Sequence, residues 1–142
     1  MAEGRTLVAG NASGSALVLD EPLSFWGGLD PATGTLIDTH HPQLGEMLAG
    51  RVVVMPSGRG SSSSAYVLAE AIRKGTAPSA IVLRETDGIV ALGAIVAREL
   101  YGIAVPVVTL GDAAYDELRS EMVMQVDASD DGASVNGHTR GG

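Results

Sequence analysis

The sequence predicts an α/β domain with a strand-rich first half, a β-α-β-α-β second half and a sheet that is at least partly parallel. Three observations carry this prediction. Arg51-Val52-Val53-Val54-Met55 is a continuous apolar, β-branched run that stops at Pro56, the mark of a strand buried on both faces. Next, Ala65, Leu68, Ala69 and Ile72 recur at helical spacing and place one apolar stripe on a helix from Ser64 to Lys74, closed by Gly75. The alternation then repeats, with Ala80-Ile81-Val82-Leu83 as a strand and Leu92, Ile95, Val96 and Leu100 on one face of a helix ended by Gly102.

The other elements follow in chain order. Before Gly50, the short apolar runs Leu7-Val8-Ala9, Ala16-Leu17-Val18-Leu19 and Thr35-Leu36-Ile37 are separated by Gly, Pro and Asp, as in short strands joined by turns. Val105 to Leu110 predicts a third strand of the second half, Asp112 a cap for a short helix over Ala113–Ser120, and Met122 to Val126 a fourth strand. From Asp127 the chain turns polar and Gly-rich, with Ser134-Val135 as a candidate edge strand. The expected organisation is one domain over residues 1–130 and a polar, flexible tail over 131–142.

Composition narrows the function classes. The chain has 142 residues, enough for one ordinary domain, and carries 9 Lys plus Arg against 17 Asp plus Glu, a net charge of −8. Such a charge repels phosphate backbones and anionic lipid, so neither nucleic acid nor a membrane surface is an expected partner. No stretch approaches the roughly 18 apolar residues of a membrane span, and no signal-peptide pattern opens the chain, so the expected location is cytoplasmic. One Phe, one Trp and three Tyr leave the core to Val, Leu, Ile and Ala. With no cysteine, the chain has no disulfide, thiolate nucleophile or cysteine-ligated metal of its own. No metal site is expected in it.

The segment best suited to chemistry is Pro56-Ser57-Gly58-Arg59-Gly60-Ser61-Ser62-Ser63-Ser64, between a buried strand and a helix N-terminus. Open α/β sheets bind ligands at such strand ends. Two glycines let the backbone turn and approach a ligand, the first helical amides are unsatisfied, and Arg59 adds a planar cation, a combination suited to a carboxylate or phosphate. The spacing is that of neither a Walker loop nor a nucleophile elbow. The alternative is a serine-rich capping loop, although four serines exceed what one cap requires. A second feature is Phe25-Trp26-Gly27-Gly28, where Phe25 fits a small core and Trp26, beside two glycines, fits an exposed turn against a ligand or partner. His40 and His41 are adjacent and cannot chelate one metal from a strand, so they are expected as a solvated pair.

Ser24-Phe25-Trp26-Gly27-Gly28, Asp30-Pro31, Gly34, Asp38, His41-Pro42, then Met55 to Ser64 and Tyr66-Val67, together resemble the small subunit, or swivel domain, of the aconitase X group. The resemblance runs along nearly the whole chain, and Gly58-Arg59-Gly60-Ser61 is its most specific part. It implies a swivelling β/β/α fold and a two-subunit hydro-lyase that dehydrates a small anionic hydroxy acid, mevalonate 5-phosphate in archaeal members and cis-3-hydroxy-L-proline in bacterial ones. It further implies a large catalytic subunit as partner, bearing an iron or iron–sulfur centre, while this chain binds no cofactor. A serine of the Gly-Arg-Gly-Ser segment is then the proton acceptor, with Ser61 first and Ser62 the alternative. Arg59, Gly60, Ser63, Gly27 and Gly28 are the expected substrate-binding residues. A non-catalytic lid or interaction module and a free-standing enzyme are the competing expectations.

Overall fold

The computed structural model describes residues 2–139, in the order β1 (Ala2–Val8), β2 (Gly10–Val18), β3 (Val52–Met55), α1 (Ser62–Lys74), β4 (Ala80–Leu83), α2 (Gly88–Tyr101), β5 (Val107–Thr109), α3 (Asp112–Asp116), β6 (Val123–Ser129) and β7 (Gly132–His138). The seven strands close into a barrel in the order β1-β5-β4-β3-β2-β6-β7. Strands β2, β3, β4 and β5 pair in parallel, while β1, β6 and β7 complete the circuit with antiparallel ladders. Among the described residues, closure leaves no edge strand to recruit another chain.

The β-branched run of β3 is buried on both faces because it divides two cores. Val52 and Val54 point inward with Ala80, Val82, Val108, Met124, Val126 and Val135. Val53 and Met55 point outward with Ile81, Leu83 and Val107, against Leu68 and Ile72 of α1 and Val90, Ala94 and Ala97 of α2. The period of two thus survives inside an unbroken apolar run, each face finding its own layer. Both long helices end on a glycine in the left-handed region, Gly75 at φ +79° and Gly102 at φ +68°.

Four expectations change. Asp112, expected to cap a helix over Ala113–Ser120, is instead the first residue of α3, whose N-cap is Gly111 and which ends at Asp116. The stretch expected as a polar tail from 131 contains β7, which pairs with β1 on one side and β6 on the other. Its side chains are small and polar because only alternate ones, Ala133 and Val135, enter the narrow barrel; residues 140–142 lie outside the described residues. Thr35–Ile37 forms isolated bridges, Leu29 with Leu36 and Thr35 with Met47, in place of a strand. The turn at Gly34, with φ +81°, packs so closely that a Cβ there would lie 2.6 Å from the Thr76 carbonyl oxygen. The 19–51 excursion instead inserts Leu23, Phe25, Leu29, Leu36 and Leu48 into the helix-side core. His41, expected in solvent, is buried: its Nε2 lies 3.1 Å from the Glu21 carbonyl oxygen and its Nδ1 accepts from Gln43 N at 3.1 Å, which assigns the proton to Nε2. Of the adjacent pair, His40 alone is exposed.

Tyr115 of α3 plugs the barrel interior, with the Arg84 guanidinium 4.5 Å from its ring centroid. Burial pushes its phenol up to about 12, and the nearby Arg84 cation opposes that rise. Because the folded value exceeds the unfolded one, the neutral phenol's contribution to stability is whole below pH 10 and is lost as pH climbs toward 12. Denaturant midpoints between pH 9 and pH 12 should fall for the wild type and fall less for Tyr115→Phe. The barrel role of β7 has its own test, because an aspartate at buried Val135 would strand a charge in the core. Val135→Asp should cost at least about 3 kcal/mol in urea unfolding, whereas a frayed tail would register within about 0.5 kcal/mol.

Candidate functional site

β3 delivers the chain to Pro56, whose carbonyl accepts from Arg84 N and Glu85 N and so fixes the strand end against the β4–α2 connection. Gly58 follows. Its amide donates to Asp87 Oδ2 at 3.0 Å, it forms a parallel bridge with Leu23, and the next amide, Arg59 N, donates to the Leu23 carbonyl at 3.2 Å. A Cβ at position 58 would stand 2.7 Å from Val90 Cγ2 and 2.8 Å from Asp87 Oδ2, so only glycine lets the loop lie this close. Gly60 adopts φ +107°, and a Cβ there would meet Ser24 Oγ at 2.6 Å and Ser64 Oγ at 2.9 Å.

The four serines divide their work. Ser61 is the N-cap of α1: its Oγ accepts from Ser63 N at 3.3 Å, and its carbonyl accepts from Ser64 N. Ser61, Ser62 and Ser63 are exposed, whereas Ser64 is buried. The Ser64 hydroxyl lies 2.8 Å from Ser24 Oγ, accepts from Trp26 N at 3.3 Å and reaches the Arg59 carbonyl at 3.4 Å. It is a buried node joining the 24–26 turn to both sides of the loop.

Chemically, the loop offers positive potential beside an exposed hydroxyl. Among the described residues, the amides of Gly60, Ser61 and Ser62 have no protein acceptor, and exposed Arg59 has no carboxylate partner. Amides at the start of a thirteen-residue helix, together with an arginine, make a receptor for a carboxylate or phosphate. Ser62 also opens onto an apolar groove of about 230 Å³ between α1 and α2, lined by Tyr66, Leu92, Val96 and Leu100. On the wall of that groove, the hydrogen bond from Arg73 holds the Glu70 carboxyl below the usual carboxylate range. Among the described residues no group of three or more His, Asp or Glu is placed to hold a metal ion.

The structure therefore brings Arg59, Gly60, Ser61, Ser62 and Ser63 together, and through Ser24 and Trp26 it brings the 24–28 turn to the same loop. Phe25 is buried and Trp26 is 64% exposed, the division expected from their neighbours. Gly27, at φ +78°, has open space around it, and a Cβ on Gly28 would collide with the Ser24 carbonyl, so these two glycines shape the turn by their backbone. Two groups escape sequence reasoning. Ser24 has no pattern around it that marks a partner, whereas Asp87-Gly88 before an apolar periodic stretch is a helix-start signal that points to Asp87.

The family model for the aconitase X swivel domain matches residues 1–135. The chain belongs to the aconitase X swivel-domain family. Within that family it is 54% identical over 114 residues to cis-3-hydroxy-L-proline dehydratase of Pseudomonas aeruginosa, 80% of this chain but 20% of the relative. The chain thus spans about a fifth of that relative's length. It is 40% identical over 125 residues to the phosphomevalonate dehydratase small subunit of Pyrococcus furiosus, covering 88% of this chain and 87% of the relative. Among solved structures, Thermococcus kodakaraensis aconitase X in its holo-form superposes with a TM-score of 0.82 at 35% identity, covering 95% of this chain and 97% of that one.

Ser64→Ala should reveal the node. It leaves Ser24 Oγ and Trp26 N without their shared partner and should lower unfolding free energy by about 1–3 kcal/mol, read by chemical denaturation. A solvent-facing hydroxyl would give a change near zero.

Proposed function

We propose that this chain is the swivel part of a hydro-lyase, closing its Gly58–Ser64 loop over a small hydroxy acid presented by a larger partner subunit, with Ser61 taking the carbon-bound proton. One observation carries the reading: an exposed serine at the α1 N-cap stands beside an unpaired arginine and three amides free of protein acceptors. The relatives named as dehydratases, including small subunits of matching length, support it.

Removing water from a hydroxy acid breaks a C–H bond next to the carboxylate and a C–O bond one carbon further. The C–H electron pair forms the new double bond, the hydroxyl departs with the C–O pair, and the proton passes to the base. A serine accepts that proton only as its alkoxide, which needs strong local stabilisation. Ser63 N–H already donates to Ser61 Oγ, and the helix N-terminus and Arg59 add positive potential. Arg59 and the amides of Gly60 to Ser62 are suited to hold the substrate's anionic group and the charge that develops as the proton leaves. Ser62 is the alternative base and Ser63 a further hydroxyl donor to substrate, while Gly27 and Gly28 let the Trp26 turn approach it.

This chain does not fit the iron or iron–sulfur centre that the family resemblance implies. Cysteine is absent, and no three His, Asp or Glu converge among the described residues. Assistance to the departing hydroxyl is assigned to the partner. The 54% identity supports cis-3-hydroxy-L-proline as the substrate to test first, and the matching length of the archaeal small subunits makes mevalonate 5-phosphate the second.

The test is Ser61→Ala in the reconstituted complex, assayed on both compounds. Turnover should fall by about 10²–10⁴-fold, the share a positioned base contributes. The helix should lose only about 1 kcal/mol with its cap. Activity within a few-fold of wild type removes Ser61 as base, and the same assay on Ser62→Ala then separates the alternative serine from a non-catalytic lid.

A further inference from the structure

Asp87 lies outside the serine loop, at the junction of β4 and α2, yet its carboxylate spans the two. Oδ1 accepts from Ile89 N at 2.9 Å and Val90 N at 3.0 Å and so caps α2, while Oδ2 accepts from Gly58 N at 3.0 Å. The two oxygens thus face two different backbones. The fit is close on both sides, because a Cβ at Gly58 would press against Asp87 Oδ2 and Val90 Cγ2. The α2 N-terminus favours a carboxylate at that cap, and a carboxylate accepts more strongly from an amide than a neutral group does.

From this geometry we infer that Asp87 is a positioning residue for the reaction: it fixes the Gly58 end of the serine loop to the rigid start of α2. The part-buried Ser24–Ser64 hydroxyl pair holds the other end, 2.8 Å apart. The exposed segment between them, Arg59 to Ser63, carries the arginine, the free amides and the serines assigned to substrate or proton transfer, and it includes a glycine at φ +107°. Arg59 N also donates to the Leu23 carbonyl at the Gly58 end, and Asp87 adds the tie to α2; a glycine-bearing loop held less firmly would sample more orientations, and small displacements of a catalytic group are costly. A helix cap needs only one acceptor oxygen, so capping alone does not account for the bond to Gly58. Asp87 matters to turnover only if the loop acts as proposed above, whereas its tie to Gly58 is a property of this chain by itself.

Two substitutions separate the roles. Asp87→Ser keeps a short N-cap acceptor for α2 but cannot also reach Gly58. Asp87→Asn keeps the shape and the cap oxygen but turns an amide donor toward the Gly58 N–H. Amide exchange followed by NMR on the isolated chain should show Gly58 exchanging at least tenfold faster in both variants, with Ile89 and Val90 in Asp87→Ser within about threefold of wild type. In the complex, kcat on cis-3-hydroxy-L-proline should fall at least tenfold, and by more than KM rises. Unchanged Gly58 exchange in Asp87→Ser overturns the inference, and so does a kcat within twofold of wild type while Gly58 is released. If Ser61→Ala also leaves the complex fully active, the base assignment fails instead, and the Gly58 exchange alone decides whether Asp87 holds the loop.

Discussion

The contact on which the rest of the site depends is the hydroxyl pair of Ser24 and Ser64, held 2.8 Å apart beneath Gly60. One member belongs to the 19–51 excursion and the other to the first turn of α1, so the pair staples two segments forty residues apart in sequence. Trp26 N and the Arg59 carbonyl share the Ser64 oxygen, which draws the aromatic turn and the arginine loop to a single point. A buried hydroxyl with several partners is costly to leave unsatisfied, which makes this packing specific as well as tight. The pair adds to what the buried Leu23, Phe25 and Leu29 and the Arg59 N–Leu23 carbonyl bond already supply in holding the 24–28 turn in place.

Around this point the fold divides its labour. The barrel core is filled mostly by Val and Ala side chains, with Leu110, Leu118, Met124 and Tyr115, and α1 and α2 cover the outward face of its parallel strands. The parallel strands β3, β4 and β5 release their connections at one end, where Arg59, Arg84 and Asp87 stand. A chain of net charge −8 can still offer an anion a welcome there, because exposed helix-end amides and an unpaired guanidinium act locally while distant carboxylates are screened within about 10 Å of salt solution.

Much of this was legible from the residues. The β3 run, the two helical stripes and the Gly58–Ser64 loop were visible because apolar periodicity and glycine placement are local signals. Barrel closure was not, because β2 and β7 read Gly-Asn-Ala-Ser-Gly-Ser-Ala-Leu-Val and Gly-Ala-Ser-Val-Asn-Gly-His, and a small barrel asks only for small inward residues. Nor was the burial of His41, which depends on backbone groups at Glu21 and Gln43 converging on its ring. The serine run showed chemistry at the loop but not its division, since the cap at Ser61 and the node at Ser64 differ only in what the fold puts opposite them. Asp87 escaped sequence reasoning although Asp87-Gly88 before an apolar periodic stretch is a helix-start signal, and its second bond appears only when β3 and α2 are brought together.

The central claim is that this chain holds one part of an active site and needs a larger partner for the other. The direct measurement is dehydration of cis-3-hydroxy-L-proline by this chain alone, by the larger subunit alone, and by increasing ratios of the two. The account predicts negligible turnover from either component and a rate that rises with added chain until the larger subunit is saturated. Turnover by this chain alone, or an undiminished rate from the larger subunit without it, would contradict the account.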